Sequence, residues 1–72
     1  MSQVRVDARG LSCPLPALHA KQALDKAAGG TVEVLVDSTT SRDNVSRVGR
    51  KAGWEVTVED VAAGGFRVVM KR

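Results

Sequence analysis

Seventy-two residues with a formal net charge of +3, 43% hydrophobic side chains and one cysteine make one small domain with a modest core, since a chain of this size buries only about 60% of the surface its unfolded form exposes. The single cysteine excludes an internal disulfide, and no Cys/His cluster is present for a structural zinc. The cations are scattered from Arg5 to Arg72 without a long run, which argues against direct nucleic-acid binding through a basic arm; no apolar stretch precedes Asp7 as a signal peptide, no window reaches the length of a membrane span, and a lone free thiol suits a reducing, cytoplasmic setting.

The first element is a strand, because Val4 and Val6 flank Arg5 in the period-two pattern of a sheet with one buried face. It ends at Asp7. The run Asp7-Ala8-Arg9-Gly10-Leu11-Ser12 then leads into Cys13-Pro14-Leu15-Pro16. A helix follows over residues 14 to about 26, with Ala17, Ala20, Leu24 and Ala27 as a thin apolar stripe and Gly29-Gly30 as its stop. Val32, Val34 and Val36 alternate with Glu33 and Leu35 in a second strand. A second helix spans residues 42 to about 52; Val45, Val48, Gly49 and Ala52 form its stripe, Thr40 or Ser41 its N-cap, Asp43 a favourable first-turn charge, and Gly53 its end. Two strands close the chain. Trp54, Val56 and Val58 alternate in one, Phe66, Val68 and Met70 in the other, with a hairpin turn over residues 61–65.

The order is β-α-β-α-β-β. Right-handed crossovers put both helices on one face of the sheet, giving an α/β two-layer sandwich with a four-stranded mixed sheet. The outward residues suggest the strand order. Arg67 and Lys71 lie on the last strand, Glu55 and Glu59 on the third and Glu33 on the second. Opposite charges on neighbouring strands stabilise a sheet by a few tenths of a kcal/mol and like charges oppose it. Order 1-2-4-3 alternates the signs. It faces Arg5 with Glu33, and it pairs Glu59 with Arg67, Thr57 with Val69 and Glu55 with Lys71.

The chemistry centres on Cys13. With Cys13 as N-cap, Pro14 takes the first helical position, where a fixed φ and a missing N–H cost nothing, and Pro16 is still tolerated in the first turn. The prolines leave the N–H groups of Leu15 and Ala17, one or both of which face the sulfur. A helix start favours an anion and lowers a cysteine pKa below its usual value of about 8.5. Gly10 permits a sharp turn and close approach of a partner. A lone cysteine is also often a small buried hydrophobe; the Pro-x-Pro context at a strand-to-helix junction points instead to a presented thiol. Without a second cysteine a dithiol cycle is excluded, and the thiol is left to carry a group as a persulfide or mixed disulfide.

The run from Asp7 to Pro16, with its Cys-Pro-x-Pro (CPxP) motif, resembles the signature of the TusA (SirA-like) sulfur-carrier family, and the resemblance extends over essentially the whole chain as a single TusA-like domain, residues 1–72. The stretch 37–53 is more similar to the TusA-like domain of YedF-type proteins, a subgroup linked to selenium metabolism. The resemblance implies a two-layer α/β sandwich. It also implies that Cys13 accepts a persulfide sulfur from a cysteine desulfurase or rhodanese-like donor and passes it to a downstream acceptor protein. That persulfide is a transient covalent state, and no resident cofactor is implied. Sulfur relay of this kind feeds tRNA thiolation in some members and sulfur oxidation, molybdenum cofactor or selenium pathways in others.

Around Cys13 the candidate supporting or docking residues are Arg9, Gly10, Leu11, Pro14, Leu15 and Pro16. Arg9 and, less directly, Lys21 would hold an anionic persulfide or steer an acidic partner. Leu11, Leu15 and Leu18 would form an apolar rim, unless one packs into the core. Asp7 would brace the loop by a hydrogen bond. His19 lies around 240° from Cys13 on the helix, too far round to act as its base, and faces solvent. Arg42, Arg47, Arg50 and Lys51 make a basic side on the second helix, and Trp54 belongs to the core. The competing function class is a small basic binding module for RNA or a regulator, with an incidental or redox-sensing cysteine.

Overall fold

The computed structural model describes residues 3–12, 14–27, 29–62 and 64–72. Six elements follow one another: β1 (Gln3–Asp7), α1 (Leu15–Ala27), β2 (Thr31–Val36), α2 (Thr39–Lys51), β3 (Glu55–Asp60) and β4 (Phe66–Lys71). The sheet has the order β1-β2-β4-β3, with β1 parallel to β2 and β4 antiparallel to both its neighbours. The charge-derived register is the observed one, with Arg5 opposite Glu33, Glu59 opposite Arg67, Thr57 opposite Val69 and Glu55 opposite Lys71.

Both helices cover one sheet face and pack on each other. Val32, Val34 and Val36 of β2 and Val68 and Met70 of β4 are fully buried beneath them, joined by Ala20, Leu24, Val45 and Trp54. The central strands carry the core because helices cover their inner face and strands flank them on both sides. On the edge strand β1, Val4 and Val6 are only half-buried. On the opposite edge, β3 begins after Trp54, and Val58 is 39% exposed although its parity is inward.

The helix limits differ from the sequence expectation in instructive ways. α1 starts at Leu15, and the Pro14 carbonyl accepts its first i→i−4 bond from the Leu18 N–H at 3.1 Å. Pro14 therefore stands at the capping position and Leu15 at the first helical one. The buried line is Pro16, Ala20, Ala23 and Leu24, with Ala17 and Ala27 at its half-buried margin. α2 starts three residues earlier than expected. Its N-cap is Ser38, whose hydroxyl accepts the Ser41 N–H at 3.1 Å, rather than Thr40 or Ser41. Four hydroxyl residues run from 38 to 41, and the one directly after β2 takes the cap; Ser41 is buried inside the helix. Asp43 consequently falls in the second turn, and its carboxylate pairs with Arg42.

α2 ends in a Schellman motif. The Trp54 N–H donates to Gly49 O at 2.9 Å and the Gly53 N–H to Arg50 O at 3.0 Å. The hairpin closes with the Val61 N–H on Gly65 O and the Gly64 N–H on Val61 O, and Gly64 takes a positive φ of 96°.

Gly49 is a core contact. A Cβ there would stand 2.5 Å from Met70 Sδ and 2.8 Å from Val56 Cγ2. In an open helix Gly→Ala gains about 1 kcal/mol. Here overpacking, typically about 1–3 kcal/mol, outweighs that gain. Gly49→Ala is expected to lower the urea midpoint and to cost about 1 kcal/mol net, whereas an unchanged or raised midpoint would show that Met70 simply moves aside.

Candidate functional site

The carboxyl ends of β1 and β2 lie side by side because the strands are parallel and in register. The Ala8 N–H extends the ladder to Leu35 O at 2.8 Å, and Ala8 is fully buried. The chain then turns. Asp7 accepts the Arg9 N–H at 3.1 Å and grips the Arg9 guanidinium at two points, Nε at 2.9 Å and Nη2 at 2.8 Å. Gly10 takes a φ of 80°, in open space, so glycine serves the backbone conformation there rather than the packing. Its N–H donates to Asp37 Oδ2 at 2.7 Å. Leu11 packs against the core. The loop leading to the Cys-Pro-x-Pro motif is thus held by two carboxylates, one at each strand end.

Cys13 lies outside the described residues. On the far side of the motif, Pro14 is exposed and Pro16 is fully buried, a rigid anchor driven into the core. Ser12 O accepts the Leu15 N–H at 2.9 Å, so of the two donors expected to face the sulfur, that of Leu15 is already engaged. The first turn of α1 contains no acid that would oppose an anion. Leu15 and Leu18 are 40% and 49% exposed, and with Val58 they are the large hydrophobic side chains left open among the described residues. Two of these three lie within five residues of Cys13 in sequence.

Arg9 is expected to hold an anion or steer a partner; in the structure its guanidinium pairs with Asp7, and about half of its side chain stays exposed. The Arg9 side-chain and backbone hydrogen bonds lower the Asp7 pKa to about 2, and Asp7, with a smaller pull from Asp37, raises that of Arg9. Asp7 braces the loop as expected. Asp37 is the residue that sequence reasoning missed; the signal was its position directly after β2, which a right-handed crossover places beside the end of β1. His19 and Lys21 are exposed on α1, and Trp54 is buried in the core. On α2, Arg42 leaves the expected basic side and stacks 4.8 Å over the Phe66 ring. Arg47, Arg50 and Lys51 remain on it with Asp43, around an open depression.

The charges are segregated between the layers. The helices carry Lys21, Lys26, Arg42, Arg47, Arg50 and Lys51 against Asp25 and Asp43, whereas the strands carry Arg5, Arg67 and Lys71 against Asp7, Glu33, Glu55, Glu59 and Asp60. Across the water-facing side of the sheet runs a chain of pairs, Arg5–Glu33 at 3.0 Å, Glu33–Arg67 at 3.6 Å and Arg67–Glu59 at 3.2 Å. No group of three or more potential metal ligands occurs among the described residues, and no described helix is long and apolar enough to cross a membrane.

The family profile described as "Sulfurtransferase TusA" matches residues 4–72. The chain belongs to the TusA family. A solved SirA-like protein of Desulfitobacterium hafniense superposes with a TM-score of 0.87 at 34% identity, covering 94% of this chain and 95% of that one. A relative in Methanocaldococcus jannaschii, named "Putative sulfur carrier protein", is 30% identical over 94% of this chain and 92% of its own length. One of the same name in Thermotoga maritima is 31% identical over 92% of this chain and 86% of its own.

The Asp7–Arg9 clamp makes a titration prediction. A carboxyl whose folded pKa is depressed contributes stability above its unfolded value, and that contribution is lost as the pH falls through the folded value. The window is therefore from the ordinary value near 3.8 down to about 2. Carboxyl carbon NMR should find Asp7 titrating near the bottom of that window, and Arg9→Ala should raise it part of the way back towards 3.8, since the backbone N–H of residue 9 still donates to it. A normal Asp7 titration in the unmodified chain would show that the clamp does not form in solution.

Proposed function

We propose that this chain is a sulfur carrier in which Cys13 accepts a sulfur atom as a persulfide and relays it to another protein. The observation that carries the reading is that the one cysteine of a TusA-family chain falls between a loop tied down by two carboxylates and the buried first-turn anchor of α1. The sulfur-carrier names of its relatives support it.

The reaction is two exchanges at sulfur. The Cys13 thiolate attacks the terminal sulfur of a donor persulfide, the donor's S–S bond breaks, and the donor cysteine leaves as thiolate. Cys13 then holds the persulfide. An acceptor thiolate attacks that outer sulfur in turn and releases the Cys13 thiolate. No net oxidant or reductant is consumed, and no resident cofactor takes part.

The donor is a cysteine desulfurase or a rhodanese-like protein, the acceptor a downstream protein of a sulfur relay, and the setting the reducing cytoplasm. The positive end of α1 favours the thiolate. Arg9 and Gly10 hold the loop through Asp7 and Asp37, Leu11 and Pro16 fix it to the core, and Pro14 and Leu15 form part of the exposed rim that a partner covers, together with Leu18.

Incubation with a cysteine desulfurase and cysteine, followed by intact mass measurement, tests the reading. The chain should gain the mass of one sulfur atom, lose it on reduction, and fail to gain it as Cys13→Ser while its fold persists. Loading that survives in Cys13→Ser, or no loading by desulfurase or rhodanese donors, would overturn it.

A further inference from the structure

β3 is an edge of the sheet, with β4 on one flank and no strand on the other. In an antiparallel ladder every second residue pair is hydrogen-bonded, and the Val61 N–H on Gly65 O sets the phase. Counting back, Glu59, Thr57 and Glu55 spend their backbone groups on β4, and Val56, Val58 and Asp60 turn theirs outward. Edges of this kind are commonly blunted by charged side chains, lysine above all, by a proline or by a bulge. Glu55–Asp60 holds no lysine, proline or bulge and pairs without interruption; its only guard is acidic, which opposes an acidic strand but not a basic one.

The edge is marked instead by charge. β3 carries three acids and no base. Glu59 is paired with Arg67, whereas among the described residues Glu55 and Asp60 form no ion pair. Five of the six β3 residues are exposed, Val58 among them, on the helix side of the sheet where α2 leaves it uncovered. The protein's own pairing on the other flank shows what fits. β4 sets Arg67 and Lys71 opposite Glu59 and Glu55, and Val68 and Met70 opposite Val58 and Val56.

We propose that the open edge of β3 docks an extended basic strand of a partner protein, added antiparallel, with cationic side chains four residues apart opposite Glu59 and Glu55 and aliphatic ones over Val58 and Val56. Main-chain hydrogen bonds supply the affinity and the acidic row the selectivity. A second copy of this chain paired about Thr57 is a poor occupant, since that register lays Glu55 against Glu59 twice, and like charges facing each other oppose pairing. Nucleic acid is repelled by the same row.

The probe is a synthetic peptide with the sequence of residues 65–72, titrated into the full chain labelled with nitrogen-15. The largest amide shifts are expected at Val56, Val58 and Asp60. A peptide with glutamates in place of its arginine at 67 and lysine at 71 should bind about tenfold more weakly, the scale expected for two cross-strand charge pairs turned repulsive. Val58→Pro removes an outward donor and no bond to β4, so it should abolish the shifts while the rest of the spectrum keeps its dispersion. Should that variant unfold, Glu55→Lys with Glu59→Lys keeps the backbone edge and must reverse the preference between the two peptides. Absence of β3 shifts at high peptide concentration overturns the proposal. So do shifts centred on β1 or the helices, equal binding of the two peptides, and β3 shifts that grow with the concentration of the chain alone.

Discussion

Two acceptors at the carboxyl end of β2 hold the segment on which the site is built. The Leu35 carbonyl takes the Ala8 N–H and the Asp37 carboxylate takes that of Gly10. β1 is an edge strand, so no other described strand pairs with it from the other side. Parallel pairing brings the two carboxyl ends together, and the crossover through α1 starts from the same end of the sheet. Pro16, sealed in the core, fixes the chain again just past the motif. Gly10 and Pro16 are therefore two fixed points that bracket a short span, and the order of the sheet decides that both exist.

Most of the fold was legible because it rests on alternation and charge. Valines at every second position named β2, and the signs of Glu33, Glu55, Glu59, Arg67 and Lys71 gave both the strand order and the register. The edges were less legible. Alternation cannot say how far a helix overhangs a strand, so Val58 read as core and is exposed. The start of α2 was misread because four consecutive hydroxyl side chains compete for one cap, and the choice is made by where β2 ends.

The site was half legible. The turn at Gly10, the brace at Asp7 and the open leucines follow from local sequence. Asp37 does not, because its partner lies 27 positions away and only the parallel register joins them. Arg9 leads into the motif as the sequence suggests, and its pairing with Asp7 across two residues was not read from the sequence although the contact is local. Pro16 looked like a tolerated residue of a first turn and is in fact a buried side chain, a distinction set by helix rotation, which one residue of shift in the α1 start is enough to alter.

The unequal sharing of charge between the two layers has a bearing on encounters in solution. The strands carry more acids than bases and the helices more bases than acids, so the molecule has an electric moment directed from the sheet towards α1 and α2. A body with such an electric moment is turned as it diffuses. Before any contact forms, an anionic surface rotates it helices first, and collision geometry is biased well outside the range of the side chains that later touch.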